Sequence, residues 1–122
     1  MTTLGTFEFL NLFAGSEKDR VHEPGTMETG EVLVVGSLVA KVTATGKWKE
    51  AEFSEIADYS RLGLTSTAVD SSAGEVPFSA WVEGEFNENG VTFFYGDAPD
   101  DWRDTLANKG IYLRRAISPA GF

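Results

Sequence analysis

The chain has 122 residues, 42% of them hydrophobic and 24% charged, which is the size and balance of one globular domain. Acidic residues outnumber Lys plus Arg by 19 to 10, and the net charge of −9 argues against nucleic acid or anionic lipid as a direct partner. The absence of cysteine excludes disulfides, thiolate catalysis and cysteine-bound metals, and suits a protein that folds in a reducing cytosol.

In chain order, the first 30 residues stand apart. Phe7-Glu8-Phe9-Leu10-Asn11-Leu12-Phe13 is a compact apolar patch. Ala14 to Gly30 is polar and turn-rich, with Glu17, Lys18, Asp19, Arg20 and Glu23 crowded before Pro24-Gly25. Such a composition buries little surface by itself, so residues 1–30 are expected to form an extended arm and linker. His22, in this polar stretch, is expected to be an exposed loop residue.

From Glu31 the signals are those of short strands. Val32 to Val35 is β-rich and Gly36-Ser37 punctuates it; Leu38 to Thr43 follows, and Thr45-Gly46 turns the chain into Lys47 to Phe53. Ser54 to Tyr59 suits a helical turn or a loop. Leu62 to Val69 is the next strand candidate, and Asp70 to Gly74 is a loop by composition. Val76 to Phe86 alternates: Val76, Phe78, Ala80, Val82 and Phe86 share one parity, while Glu75, Ser79, Trp81, Glu83 and Glu85 share the other. That predicts a half-buried strand with a wet face. Asn89-Gly90 is a strong turn signal, and Val91 to Tyr95 is expected to return as its hairpin partner. A helix is predicted over 100–109, capped by Asp100 or Asp101, with Trp102 and Leu106 on one face and Gly110 just past its end. Ile111 to Ile117 is a final strand, and 118–122 a short tail. The expected organisation is therefore an arm over 1–30, a β-rich domain over 31–117 and a tail.

The residue inventory leans away from enzyme chemistry. One histidine must serve any His-based mechanism, and no nucleophile is marked out beside it. Phosphate-binding glycine loops, dinucleotide fingerprints and the Gly-x-Ser-x-Gly elbow are all absent from the sequence. Asp97, Asp100, Asp101 and Asp104 lack the spacing of a calcium loop and suit helix capping. Glu83 and Glu85 suit the wet side of a strand better than a glycosidase pair. No metal and no cofactor is expected. No apolar run nears the roughly 18 residues of a membrane span, and no signal peptide is visible at the N-terminus. Trp81, an aromatic on a wet face, suits a protein interface or a place under a neighbouring loop. Gly84, between two glutamates, suits a bulge or the close approach of another backbone.

The order of elements carries a resemblance. Gly30-Glu31-Val32-Leu33, Val39-Ala40-Lys41, Thr45-Gly46 and Trp48 form one block; Leu62-Gly63-Leu64 and Ala68-Val69-Asp70 form the next. Then come Gly84-Glu85-Phe86-Asn87 and Leu106-Ala107-Asn108-Lys109-Gly110-Ile111-Tyr112-Leu113. Over residues 30–117 this resembles the lambda-type head decoration, or head stabilisation, proteins of tailed bacteriophages. The resemblance implies a compact, mainly β (β-rich α+β), small barrel-like domain with one short helix. It implies a non-enzymatic homotrimer, made in the host cytoplasm, that sits on the virion surface at threefold and quasi-threefold positions of the expanded head. The major capsid protein is then the partner, and no small-molecule substrate is expected. Phe7, Phe9, Leu10, Leu12 and Phe13 become the expected capsid-binding residues, and Trp81 and Gly84 the expected subunit contacts. Arms in that family are often poor in aromatics, unlike this one. Wedging into a pocket, pairing as a strand and folding back on the trimer therefore all stay open. The alternative reading is a small soluble β-barrel that binds a ligand.

Overall fold

The computed structural model describes residues 21–114. The expected capsid-binding residues Phe7, Phe9, Leu10, Leu12 and Phe13, the end of the last predicted strand and the tail lie outside them. Eight strands are described: β1 (Val21–Met27), β2 (Val32–Leu33), β3 (Leu38–Val42), β4 (Trp48–Glu50), β5 (Tyr59–Thr65), β6 (Val69–Asp70), β7 (Val76–Asn87) and β8 (Ile111–Arg114), with one α-helix, α1 (Pro99–Asn108). The protein is mainly β. Strands pair in the order β1-β4-β3-β5-β7, and β7 pairs again with β1, so five strands close into a barrel. β8 pairs parallel with the second half of β7, and β2 and β6 form a separate two-stranded ribbon.

Two hydrophobic clusters explain the alternation along the strands. One fills the barrel: Met27, Val39, Trp48, Ala80 and Val82, with Leu33 and Val69 of the ribbon. The other lies between the sheet and the helix and gathers Leu38, Ala40, Leu62, Leu64, Phe86, Trp102, Leu106, Ile111 and Leu113. Neighbours on β3, Val39 and Ala40, therefore belong to different cores, which is why this strand reads as continuously apolar.

The indole of Trp48 spans the barrel interior between two glycines. A Cβ on Gly25 would lie 2.4 Å from its Nε1, and a Cβ on Gly63 would lie 3.4 Å from its Cζ3 and 2.9 Å from the Ala80 Cβ. Inward-pointing charges close one end of the barrel: Glu23 accepts from Arg61 Nε at 2.7 Å and sits 3.8 Å from Lys41 Nζ.

Several sequence expectations are corrected. Residues 21–27, read as solvated linker with His22 in a loop, form β1 and pair with β7 from Val21↔Glu83 to Met27↔Val76. Pro24 is tolerated there because β1 needs few ladder bonds on its second side, where it meets β4 only at Met27↔Trp48. The strand expected over Val32 to Val35 shrinks to two residues, and the one expected over Leu62 to Val69 divides into β5 and β6. The strand expected over Lys47 to Phe53 is confined to Trp48–Glu50, and Ser54 to Tyr59, left between a helical turn and a loop, falls largely on a 3-10 helix, Phe53–Asp58. Val91 to Tyr95 does not return as a hairpin strand. Glu88–Gly90 forms a 3-10 turn and Gly90 keeps a negative φ, whereas a two-residue Asn-Gly hairpin needs positive φ at both positions. Val91 instead packs in the helix-side core, and Thr92 makes one parallel bridge to Ser37. The helix starts at Pro99 rather than at an aspartate cap. Asp101 reaches back to accept from the Ala98 N–H at 2.8 Å, and Asp100 lies in the first turn. Trp102 and Leu106 are buried as expected, and Gly110 follows the helix at φ +89°.

Candidate functional site

The sequence-predicted contact residues fall at the junction of β1, β7 and β8. Trp81 points away from the barrel interior and is half-buried. The His22 ring of β1 stacks on it, with centroids 3.7 Å apart, and it packs against the helix-side core. Gly84 is buried. Its N–H donates to the Gly110 carbonyl at 3.0 Å and it lies opposite Ile111, so the close backbone approach it permits is made by the same chain. Its φ of +147° lets β7 bend there: Val82 before it faces the barrel core and Phe86 after it faces the helix core.

Asp97, Asp100 and Asp101 of the aspartate cluster are engaged in structural contacts. Asp97 Oδ2 accepts from the Phe53 N–H at 3.0 Å and from Trp102 Nε1 at 3.3 Å. Asp100 pairs with Arg103 at 2.9 Å, and Arg103 also reaches Glu88 at 2.6 Å. Glu85 pairs with Arg114 at 3.1 Å. Among the described residues no group of three or more His, Asp or Glu is disposed to hold a metal ion. A shallow cleft of about 150 Å³ lies between β5 and β7, where their ladder stops at Leu64↔Trp81. It is lined by Ser60, Arg61, Leu62, Val82, Glu83 and Lys109, a mixture of charges with no nucleophile set against a base.

A second region, which the sequence did not mark, lies where the 3-10 helix meets the start of α1. The turn Phe94 to Asp97 is closed by the Asp97 N–H donating to the Phe94 carbonyl at 2.9 Å, with Gly96 at φ +95°. Tyr95 stands at its tip, 96% exposed. Phe53 is 36% exposed, and its ring packs edge-on against Trp102 at 5.1 Å. Carboxylates crowd beside it. Burial and the charges of Glu31, Glu52 and Asp97 push the Glu50 carboxyl above its ordinary value. Lys49 is opposed by burial, yet Glu55, hydrogen-bonded at 3.2 Å, and Glu52 hold its pKa up. Burial raises Tyr59, whose hydroxyl accepts from the Glu52 N–H at 3.0 Å. An aromatic beside a turn glycine, Tyr95-Gly96, is the signal that could have singled out this tip; the expected strand over Val91 to Tyr95 absorbed it.

In comparisons with known proteins, no protein-family model matches the chain and no curated protein does.

Proposed function

We propose that the protein is a non-enzymatic decoration protein of a bacteriophage head, binding as a trimer at threefold and quasi-threefold positions of the expanded capsid and stabilising it against internal DNA pressure. One observation carries most of the support. The two most specific pieces of the resemblance, Gly84-Glu85-Phe86-Asn87 and Ile111-Tyr112-Leu113, are 27 positions apart and pair directly, from Gly84↔Ile111 to Phe86↔Leu113. With α1 between them they make one β–α–β unit, which supports reading the two pieces together.

The sequence of the arm adds a physical argument. Burying five Phe and Leu side chains contributes on the order of 10 kcal/mol, while ordering about ten residues of backbone costs roughly 1–2 kcal/mol each. One arm is then near break-even, and three on a trimer gain from effective concentration. The rival, a ligand-binding barrel, would keep its interior open to a ligand. Here Trp48, Met27, Val39, Ala80 and Val82 occupy it.

The test is co-sedimentation of the purified protein with expanded phage heads and with unexpanded procapsids. Pelleting with expanded heads, in multiples of three per site, is the expected result. Protein that stays in the supernatant with both particles would refute the proposal.

A further inference from the structure

The cleft between β5 and β7 carries a charge arrangement that the capsid reading leaves unused. It opens in the wall of the barrel, outside the filled interior. The β5–β7 ladder stops at Leu64↔Trp81; from there β5 runs on with β3 as far as Val42↔Tyr59, while β7 bends at Gly84 toward the helix core. The turn after α1 comes in beside the gap. The Gly84 N–H donates to the Gly110 carbonyl at 3.0 Å, which sets Lys109 at the cleft's edge. Leu62 and Val82 supply apolar wall, and Arg61 and Lys109 supply charge.

These cations have capacity to spare. Arg61 and Lys41 share one carboxylate, Glu23, which Arg61 meets through Nε at 2.7 Å. A guanidinium carries five N–H donors, so the half-exposed Arg61 keeps donors to offer. Lys109 is exposed, and it is the one described lysine or arginine with no ion pair to a described residue. With Lys41, three cations stand against Glu23 and Glu83 at this part of the wall, in a chain whose net charge is −9. An anion is the natural complement, and the cleft narrows its kind. At about 150 Å³ it is smaller than the roughly 300–1,000 Å³ of a pocket for a drug-sized ligand, so it takes a group of a few heavy atoms. Glu83 in the wall opposes a second negative charge, which disfavours a phosphate dianion. Leu62 and Val82 suit a short methylene stem. A carboxylate on such a stem meets every condition, since its plane matches a guanidinium edge and its single charge suits the lysine.

We propose that the β5–β7 cleft binds a monocarboxylate on a short aliphatic stem, that of a small acid or of a glutamate side chain, between Arg61 and Lys109. The inference does not depend on the capsid reading, and its test uses the purified protein alone.

The probes are butyrate and the capped peptide acetyl-Gly-Glu-Gly-amide, with n-butylammonium and inorganic phosphate for comparison. Each is titrated at matched low ionic strength into the labelled full chain and followed by amide chemical shifts. Both carboxylates are expected to shift the signals of residues 60–62, 82, 83 and 109, and to bind more tightly than phosphate. The shared carboxylate is the claim, and the ratio of the two affinities tells which source the cleft prefers. Lys109→Gln, at an exposed residue just past the helix, is expected to weaken both carboxylates by about threefold, the worth of an exposed ion pair, with the thermal midpoint in place. Lys47→Gln, at a lysine that pairs with Glu75 and does not line the cleft, is expected to leave both affinities unchanged. Carboxylates that give no localised shifts, phosphate or n-butylammonium bound at the same residues as tightly, an unchanged affinity in Lys109→Gln, or an equal loss in Lys47→Gln would each overturn the proposal. Failure of the protein to bind phage heads would leave these outcomes untouched.

Discussion

Gly25→Ala is the sharpest test of how the barrel is filled. Gly25 lies in β1, where an alanine meets no backbone strain, and such a substitution ordinarily stabilises by about 0.4–1 kcal/mol through the unfolded chain. Here the new methyl would lie 2.4 Å from Trp48 Nε1 and 2.6 Å from its Cδ1, against an ordinary carbon contact of about 3.5–4.0 Å. The indole has little room to retreat. It is wholly buried, and its far edge already lies 3.4 Å from where a Gly63 Cβ would stand. Overpacking of this kind costs typically about 1–3 kcal/mol. After the unfolded-state gain, a net loss of about 1–2 kcal/mol remains, or roughly 5–15 °C in thermal midpoint for a domain of this size. Urea and thermal unfolding followed by tryptophan fluorescence and circular dichroism measure it. In a Trp48→Leu background the penalty should disappear, because the group that the methyl strikes is gone. A Gly25→Ala protein as stable as the parent, or a penalty that persists without the indole, would refute the picture of Trp48 wedged between Gly25 and Gly63.

Three further outcomes are expected. His22→Ala should expose the Trp81 ring and red-shift tryptophan emission with little loss of stability, since His22 is exposed and its stacking on Trp81 is the contact removed. Glu50→Gln should raise the thermal midpoint at neutral pH. The carboxyl is pushed up by burial and by neighbouring carboxylates, so its contribution to stability is full below its ordinary value and is lost as pH rises through the raised one. The gain should vanish in acid, and a gain that persists there would point to another cause. Deleting residues 1–15 should leave the thermal midpoint almost unchanged and weaken binding to expanded heads by at least about tenfold, 1.4 kcal/mol; a large loss of stability with binding intact would place the capsid contact elsewhere.

The parts of the fold legible in the sequence are those held by local pattern. β7 shows its alternation because one face is core and the other carries Ser79, Glu83 and Glu85, and α1 shows its Trp102–Leu106 face and its terminal Gly110. β1 was hidden for a physical reason. Its inward positions are Glu23, Gly25 and Met27: a charge held by Arg61 and Lys41, a glycine that leaves room for an indole, and one apolar residue. Each is right for its place in the closed barrel, and together they lack the apolar period that marks a strand. Closure itself, β1 against β7, joins residues from 49 (Met27↔Val76) to 62 (Val21↔Glu83) positions apart, and no window of local sequence registers it. The Tyr95 tip was obscured in part for the same reason, because the base of its turn is held by Phe53, 44 positions from Asp97, as well as by the nearby Trp102.

Gly84 shows how a close backbone approach legible in the sequence is met within one chain. A glycine between two glutamates on an alternating strand signals a close backbone approach, and an assembling protein makes a subunit contact the natural source of it. In the fold the approaching backbone is Gly110, at the end of the helix that follows β7, and the pair is mutually constrained: Gly84 donates to the Gly110 carbonyl at 3.0 Å, while a Cβ on Gly110, itself at φ +89°, would crowd Glu83 at 3.1 Å. The bend at Gly84 then redirects β7 from the barrel core to the helix core, which lets one 12-residue strand serve both. An alanine at 84 would carry the strain of a positive φ into that shared strand, and both cores would feel it. The requirement for glycine there is met by a backbone partner within the same chain.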